Sequence, residues 1–164
     1  MTGLLTKRAI FALAAALTWF VAHGPAEAGN PFEKLSGDWT GEGTVTLKDG
    51  KVKTVSCKVN YKAAASDLTQ NLACTGDDYE IEATLKLADK DGRVKGKWNE
   101  VIYDASGEVV GKAQDDAIRA VIRGDKFSGR MSLKVTDAGH TINMLQLNED
   151  TGTYRLATSL TMHR

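Results

Sequence analysis

The chain has no excess charge of either sign. Lys plus Arg and Asp plus Glu each total 21 over 164 residues. Phosphate recognition needs clustered excess base, so the global balance makes no case for a nucleic-acid partner. Proline is scarce, with two residues against 16 glycines, and no window carries a helical apolar period. Only three histidines and two cysteines occur, too few and too scattered for a metal site, and no cofactor is expected. No spacing rule links His140 and Met144 as a haem pair. Neither a Gly-x-Ser-x-Gly elbow nor a His-Glu-x-x-His pair is present. His140 beside a turn and His163 near the end read as surface residues. No catalytic residue is assigned, and the expectation is a protein that is not an enzyme. Hydrophobic residues at 42% and charged residues at 26% still describe a folded globular chain rather than a disordered one.

Long apolar runs are missing except at the N-terminus. Lys7 and Arg8 precede an uncharged stretch from Ala9 to Ala22, Pro25 breaks it, and Ala26-Glu27-Ala28 follows. This is the pattern of a secretory signal peptide over residues 1–28, with cleavage after Ala28. The run is shorter than the roughly 20 residues a spanning helix needs. No Cys follows the cleavage site, so no lipid anchor is expected. The expected destination is the periplasm. The mature chain then divides into an N-terminal segment, 29–36, and one domain, 37–164, with no membrane-spanning part. Two cysteines in an oxidising compartment read as one disulfide, worth about 3 kcal/mol in the chain-entropy model.

The dominant period is two, the strand period. From Trp39 to Lys48, one face carries Trp39, Gly41, Gly43, Val45 and Leu47 and the other is polar; Asp49-Gly50 then turns the chain. Val55, Cys57, Val59 and Tyr61 share the next face. A hairpin centred between Ala65 and Ser66 places Tyr61 opposite Gln70, Val59 opposite Leu72, and Cys57 opposite Cys74. The hydrophobic alternation and the Cys57–Cys74 bridge therefore agree on one register, although neither was used to choose the other. Further alternating runs follow, through Tyr79 to Leu87, Val94 to Trp98, Ile118 to Ile122, Phe127 to Val135, His140 to Leu147, and Tyr154 to Met162. Eight to ten antiparallel strands with short turns form an up-and-down meander. Such a meander closes well into a barrel, which removes exposed edges. Gly41, Gly43, Gly96 and Gly129 suit sharp bends in the wall.

Leu35-Ser36-Gly37-Asp38-Trp39 resembles the Gly-x-Trp opening of the calycin superfamily, which includes lipocalins and avidins. The resemblance implies an all-β calycin-like barrel. It also implies a Trp that plugs the floor under a basic side chain near the last strand, here Arg155 or Arg164. The first third also resembles a family of periplasmic metalloprotease inhibitors, with Leu35 to Trp39, Cys57 and Cys74 in the matching arrangement. That likeness implies that residues 29–34 enter a protease cleft, so that deleting them removes activity without touching stability.

Strand parity directs Trp39, Tyr61, Gln70, Tyr79, Trp98, Phe127, Met131 and Tyr154 inward, to line a pocket or fill a core. Gln70 reads as a ligand contact or as an amide bonded to Tyr61 across the strand pair. Glu100 shares the parity of Trp98. It either points inward as a polar ligand contact or is turned outward by a bulge near Asn99. The leading expectation is a periplasmic, non-enzymatic binding protein holding a small apolar or amphipathic ligand. Filling the lumen by Gly96→Leu should then abolish uptake in a barrel that still folds. The alternative is a protein-binding module, such as a protease inhibitor, acting through its N-terminal segment and barrel-mouth loops. Lys90, Arg93, Lys95 and Lys97 form a basic stripe, with Glu80, Glu82 and Asp91 close by.

Overall fold

The period-two runs become ten antiparallel strands in a computed structural model that describes residues 30–164. The signal peptide expected over residues 1–28 lies outside the described residues. One helical turn, α1 (Phe32–Leu35), precedes the strands β1 (Gly37–Thr46), β2 (Val52–Ala63), β3 (Asp67–Thr75), β4 (Glu80–Lys90) and β5 (Arg93–Glu100). β6 (Ala105–Gln114), β7 (Ala117–Gly124), β8 (Gly129–Thr136), β9 (Gly139–Asn148) and β10 (Thr153–His163) complete the sheet. Each strand pairs with its neighbours in sequence, and β1 pairs with β10, so the sheet is a closed barrel.

Turn chemistry sets the short connections. Asp91 and Gly92 both hold positive φ, 55° and 74°, between β4 and β5, as a two-residue hairpin turn requires. Gly50 does the same at 85° between β1 and β2. In the β2–β3 ladder Tyr61 faces Gln70, Val59 faces Leu72, and Cys57 faces Cys74, as the alternation predicts. The two cysteines form the disulfide with their Cα atoms 4.1 Å apart.

Four strand glycines have a stricter role than bending. A Cβ on Gly41, Gly43 or Gly129 would sit 2.0 Å from a carbonyl oxygen of the adjacent strand. At Gly96 the Cβ would sit 1.8 Å from the Lys86 oxygen. The strands approach too closely there for any side chain. The expectation that Gly96→Leu would fill a lumen inside an intact barrel is therefore corrected: it strikes the backbone of the wall first.

One inward assignment is also corrected. Tyr154 was placed on the inner face with Leu160 and Met162. The β9–β10 register slips by one residue between Leu156 and Thr158. A one-residue slip exchanges the two faces of a strand. Leu160 and Met162 are buried beyond the bulge, whereas Tyr154 and Leu156 are exposed on the outer wall before it. There Arg130 lies over the Tyr154 ring at 4.2 Å. The register is unbroken through Asn99, so no bulge turns Glu100 outward.

Gly96→Ala should lose its cooperative thermal transition, or melt with a loss of at least about 4 kcal/mol, the size reserved for severe core and backbone defects. Circular dichroism against an exposed control such as Lys97→Ala measures this.

Candidate functional site

The two ends of the barrel differ. The end carrying α1 is shut. Phe32 and Leu35 are 0% exposed, and the Trp39 indole N–H donates to the Leu35 carbonyl at 2.7 Å. Asn30 starts this plug: its Oδ1 accepts the Phe32 N–H at 2.9 Å. Its Nδ2 donates to the Ala65 carbonyl and to Asp89. Lys34 pairs with Asp116 across the floor. Of the two arginines that the resemblance offered, Arg164 is the one over Trp39, at 4.5 Å from the ring centre. It also donates to the Ser36 carbonyl at 3.1 Å. Segment 30–35 is thus part of the folded floor, not a free arm ahead of the barrel.

His140 belongs to this closed end, and its expected place on the surface is corrected. Val135 faces it across β8–β9 and Met162 across β9–β10. It has the inward parity of Ile142, which was the available signal. It is 2% exposed. Its ring meets Trp39 edge-on at 4.7 Å and Tyr61 at 5.3 Å. Nε2 is 3.0 Å from the Tyr61 hydroxyl, and Nδ1 has no partner. Burial pushes its pKa down to about 4, so the ring is neutral at pH 7. The Tyr61 hydroxyl is therefore engaged by His140 rather than by Gln70.

Among the described residues the opposite end has no helical plug. Tyr79, Ile81, Trp98, Phe127 and Met144 are only partly buried, although they pack on the core. Trp98 meets Phe127 edge-on at 6.3 Å, and Tyr79 stacks on Tyr103 at 5.7 Å. Glycine makes room for the indole: a Cβ on Gly124 would lie 2.6 Å from Trp98 Cζ2. The Trp98 Nε1 donor is buried and has no acceptor. Burial, aided by Tyr103 and Glu100, pushes the Tyr79 phenol up to about 12, so it stays a neutral donor. Glu100 is buried, but its carboxylate is already used. Oε1 accepts the N–H groups of Glu82 and Ile102, and Oε2 that of Tyr103 at 2.6 Å. It holds the β5–β6 turn, so a free polar contact for a ligand is not what the structure places there. Arg155 has inward parity, opposite Gln146, and donates to Gln146 Oε1 and to the Leu47 carbonyl.

Of the residues expected to line a pocket, the structure brings Tyr79, Trp98 and Phe127 together at the mouth. Trp39 and Tyr61 belong to the floor, and Gln70 and Met131 are buried inside the wall. Tyr154 is outside. Ile81, Met144, Arg155 and the turn residue Tyr103 join the mouth without having been expected there.

No family model and no curated protein matches this sequence. Solved structures do match. Rv2717c from M. tuberculosis is 13% identical with a TM-score of 0.64, covering 79% of this chain and 92% of its own. The S-type phycobiliprotein lyase CPES from Guillardia theta is 15% identical with a TM-score of 0.55, covering 81% and 89%. The fold is a closed ten-stranded antiparallel barrel, and these structures share it. At these identities the likeness extends to the fold alone. Among the described residues, no helix is long and apolar enough to cross a membrane.

Phe32→Ala should cost about 3–5 kcal/mol in chemical denaturation, because the floor loses a fully buried ring. His140 makes stability depend on acid. The unfolded ring takes up a proton near its ordinary value of about 6.5 and the folded ring only near 4, so stability falls as pH drops through that interval. The full loss is at most about 3 kcal/mol. Denaturation curves should show this slope in the wild type and a flatter one in His140→Gln.

Proposed function

We propose that the protein is a non-enzymatic, periplasmic binding module that takes a small apolar or amphipathic ligand at the unplugged mouth of the barrel. The observation that carries this is the Trp98 N–H, buried among half-covered aromatic rings without an acceptor. A buried donor left unpaired costs about 1–3 kcal/mol. A ligand that lays an apolar body on Phe127 and Ile81 and presents one acceptor to Trp98 recovers that cost. Apolar pockets with a few placed polar groups are the usual form of small-molecule sites. The periplasmic part of the proposal rests on the signal-peptide pattern of residues 1–28 and on the buried Cys57–Cys74 bridge, a bond that persists in oxidising compartments.

One observation favours a protein partner as the second reading. Val101, Ile102 and Tyr103 at the mouth are exposed apolar residues on one turn. A protein, such as a secreted protease, gripped by these loops would use them. The arm of residues 29–34 supports this reading less, because Phe32 is in the floor.

Titration with the uncharged probe N-phenyl-1-naphthylamine should give saturable binding with quenching of Trp98. Trp98→Phe keeps an aromatic ring but loses the donor. For an acceptor-bearing analogue, a long-chain alcohol, affinity should weaken by roughly five- to thirtyfold, the equivalent of one hydrogen bond. Absence of saturable binding, or equal affinity in the variant, removes the ligand reading. Native mass spectrometry then shows whether a second protein is held instead.

A further inference from the structure

The basic stripe of β4 and β5 does not end there. Antiparallel pairing carries it across the outer wall in three rows. In the first, Lys86 faces Lys97, which faces Glu108, which faces Arg123. In another, Lys90 faces Arg93, Arg93 faces Lys112, and Lys112 faces Arg119. Between them, Lys95 begins a row that runs through Val110, Val121, Arg130, Leu145 and Leu156. Lys134 adds to the same wall on β8. All ten cations are exposed, and among the described residues none is in an ion pair. Glu108 is the single carboxylate in the three rows. Ten of the chain's 21 basic residues therefore lie on the outer face of β4–β8, although the chain is balanced at 21 against 21.

This arrangement works against folding. Like charges directly opposite across strands repel, and four such pairs occur: Lys86 with Lys97, Lys90 with Arg93, Arg93 with Lys112, and Lys112 with Arg119. Glu108, between Lys97 and Arg123, is the carboxylate that directly opposes any of them. The face is also broad: the four strands β5–β8, spaced about 4.8 Å apart, extend roughly 14 Å around the barrel, wider than a small anion. The middle row is aliphatic. Val110, Val121 and Leu156 are exposed. Val110, Val121 and Leu145 line a shallow groove of about 380 Å³ whose edge carries Lys112, Arg119 and Arg130.

We propose that the outer face of β5–β8, centred on that groove, is a docking surface for an anionic lipid bilayer. Unpaired positive charge draws this face to an anionic surface, and the exposed Val110 and Val121 side chains, with Leu145 beside them, enter the interfacial layer. A soluble polyanion such as nucleic acid would use the charge but not the aliphatic row. The surface is separate from the barrel mouth, so it stands whether or not the mouth binds a ligand.

The test is vesicle co-sedimentation of residues 29–164, whose described barrel and floor close on themselves. Vesicles with about 30% phosphatidylglycerol should bind the protein and pure phosphatidylcholine vesicles should not. Binding should weaken when salt is raised to about 0.5 M. The double variant Lys95→Glu/Arg119→Glu should reduce partitioning by roughly tenfold or more. Val121→Ser should reduce it severalfold at low salt, with both variants melting like the wild type. The proposal is overturned if anionic vesicles fail to bind or if charge reversal leaves partitioning unchanged. It is also overturned if polyphosphate or duplex DNA binds as tightly as the vesicles and Val121→Ser has no effect. That result assigns the wall to a soluble polyanion.

Discussion

The ladder between β1 and β10 is the contact on which the rest of the structure depends. It runs from Thr40 opposite His163 to Val45 opposite Thr158, and it turns a ten-strand meander into a closed wall with no free edge. The close approach leaves no room for a Cβ at Gly41 or Gly43. The same closure brings the last residue to the first strand, so Arg164 reaches the Trp39 ring and the carbonyls beside α1. Without the ladder, Trp39, Phe32 and Leu35 would lose their cover together.

Closure also makes the two ends unequal. One end is filled by α1, Trp39, Tyr61 and His140, and the polar atoms there largely bind one another. The other end has turns but no plug, and its aromatic residues stay partly open. The two partnerless polar ring atoms show the contrast. His140 Nδ1 lies in a sealed apolar setting, where neutrality of the ring limits its cost. Trp98 Nε1 is buried at the end without a plug, among rings that are themselves partly exposed. This difference in surroundings separates a structural residue from a candidate contact.

Strand pairing had the strongest signal in the sequence. Alternation and the cysteine pair agreed on the β2–β3 register because side-chain direction repeats every two residues. A barrel wall imposes that period wherever the ladder is regular. The signal failed where the ladder is irregular. The bulge at Ala157 reverses β10, and Tyr154 was read from the wrong side of it. Parity alone could not tell that Glu100 spends both its oxygens on backbone N–H groups of neighbouring segments. The stripe of four basic residues was visible in β4–β5, but its extension through Lys112, Arg119 and Arg130 requires strand neighbours far apart in sequence.

The sequence by itself determined the all-β class, the meander, the bridge partners and the alternation that builds a core. These follow from local chemistry: side-chain period, turn residues with positive φ, and directly opposed cysteines. Only the tertiary structure decided which end is closed, which of two arginines covers Trp39, where His140 lies, and that ten cations share the outer face of β4–β8. Those properties depend on the curvature and register of strands brought together from the whole chain, and no window of residues contains them.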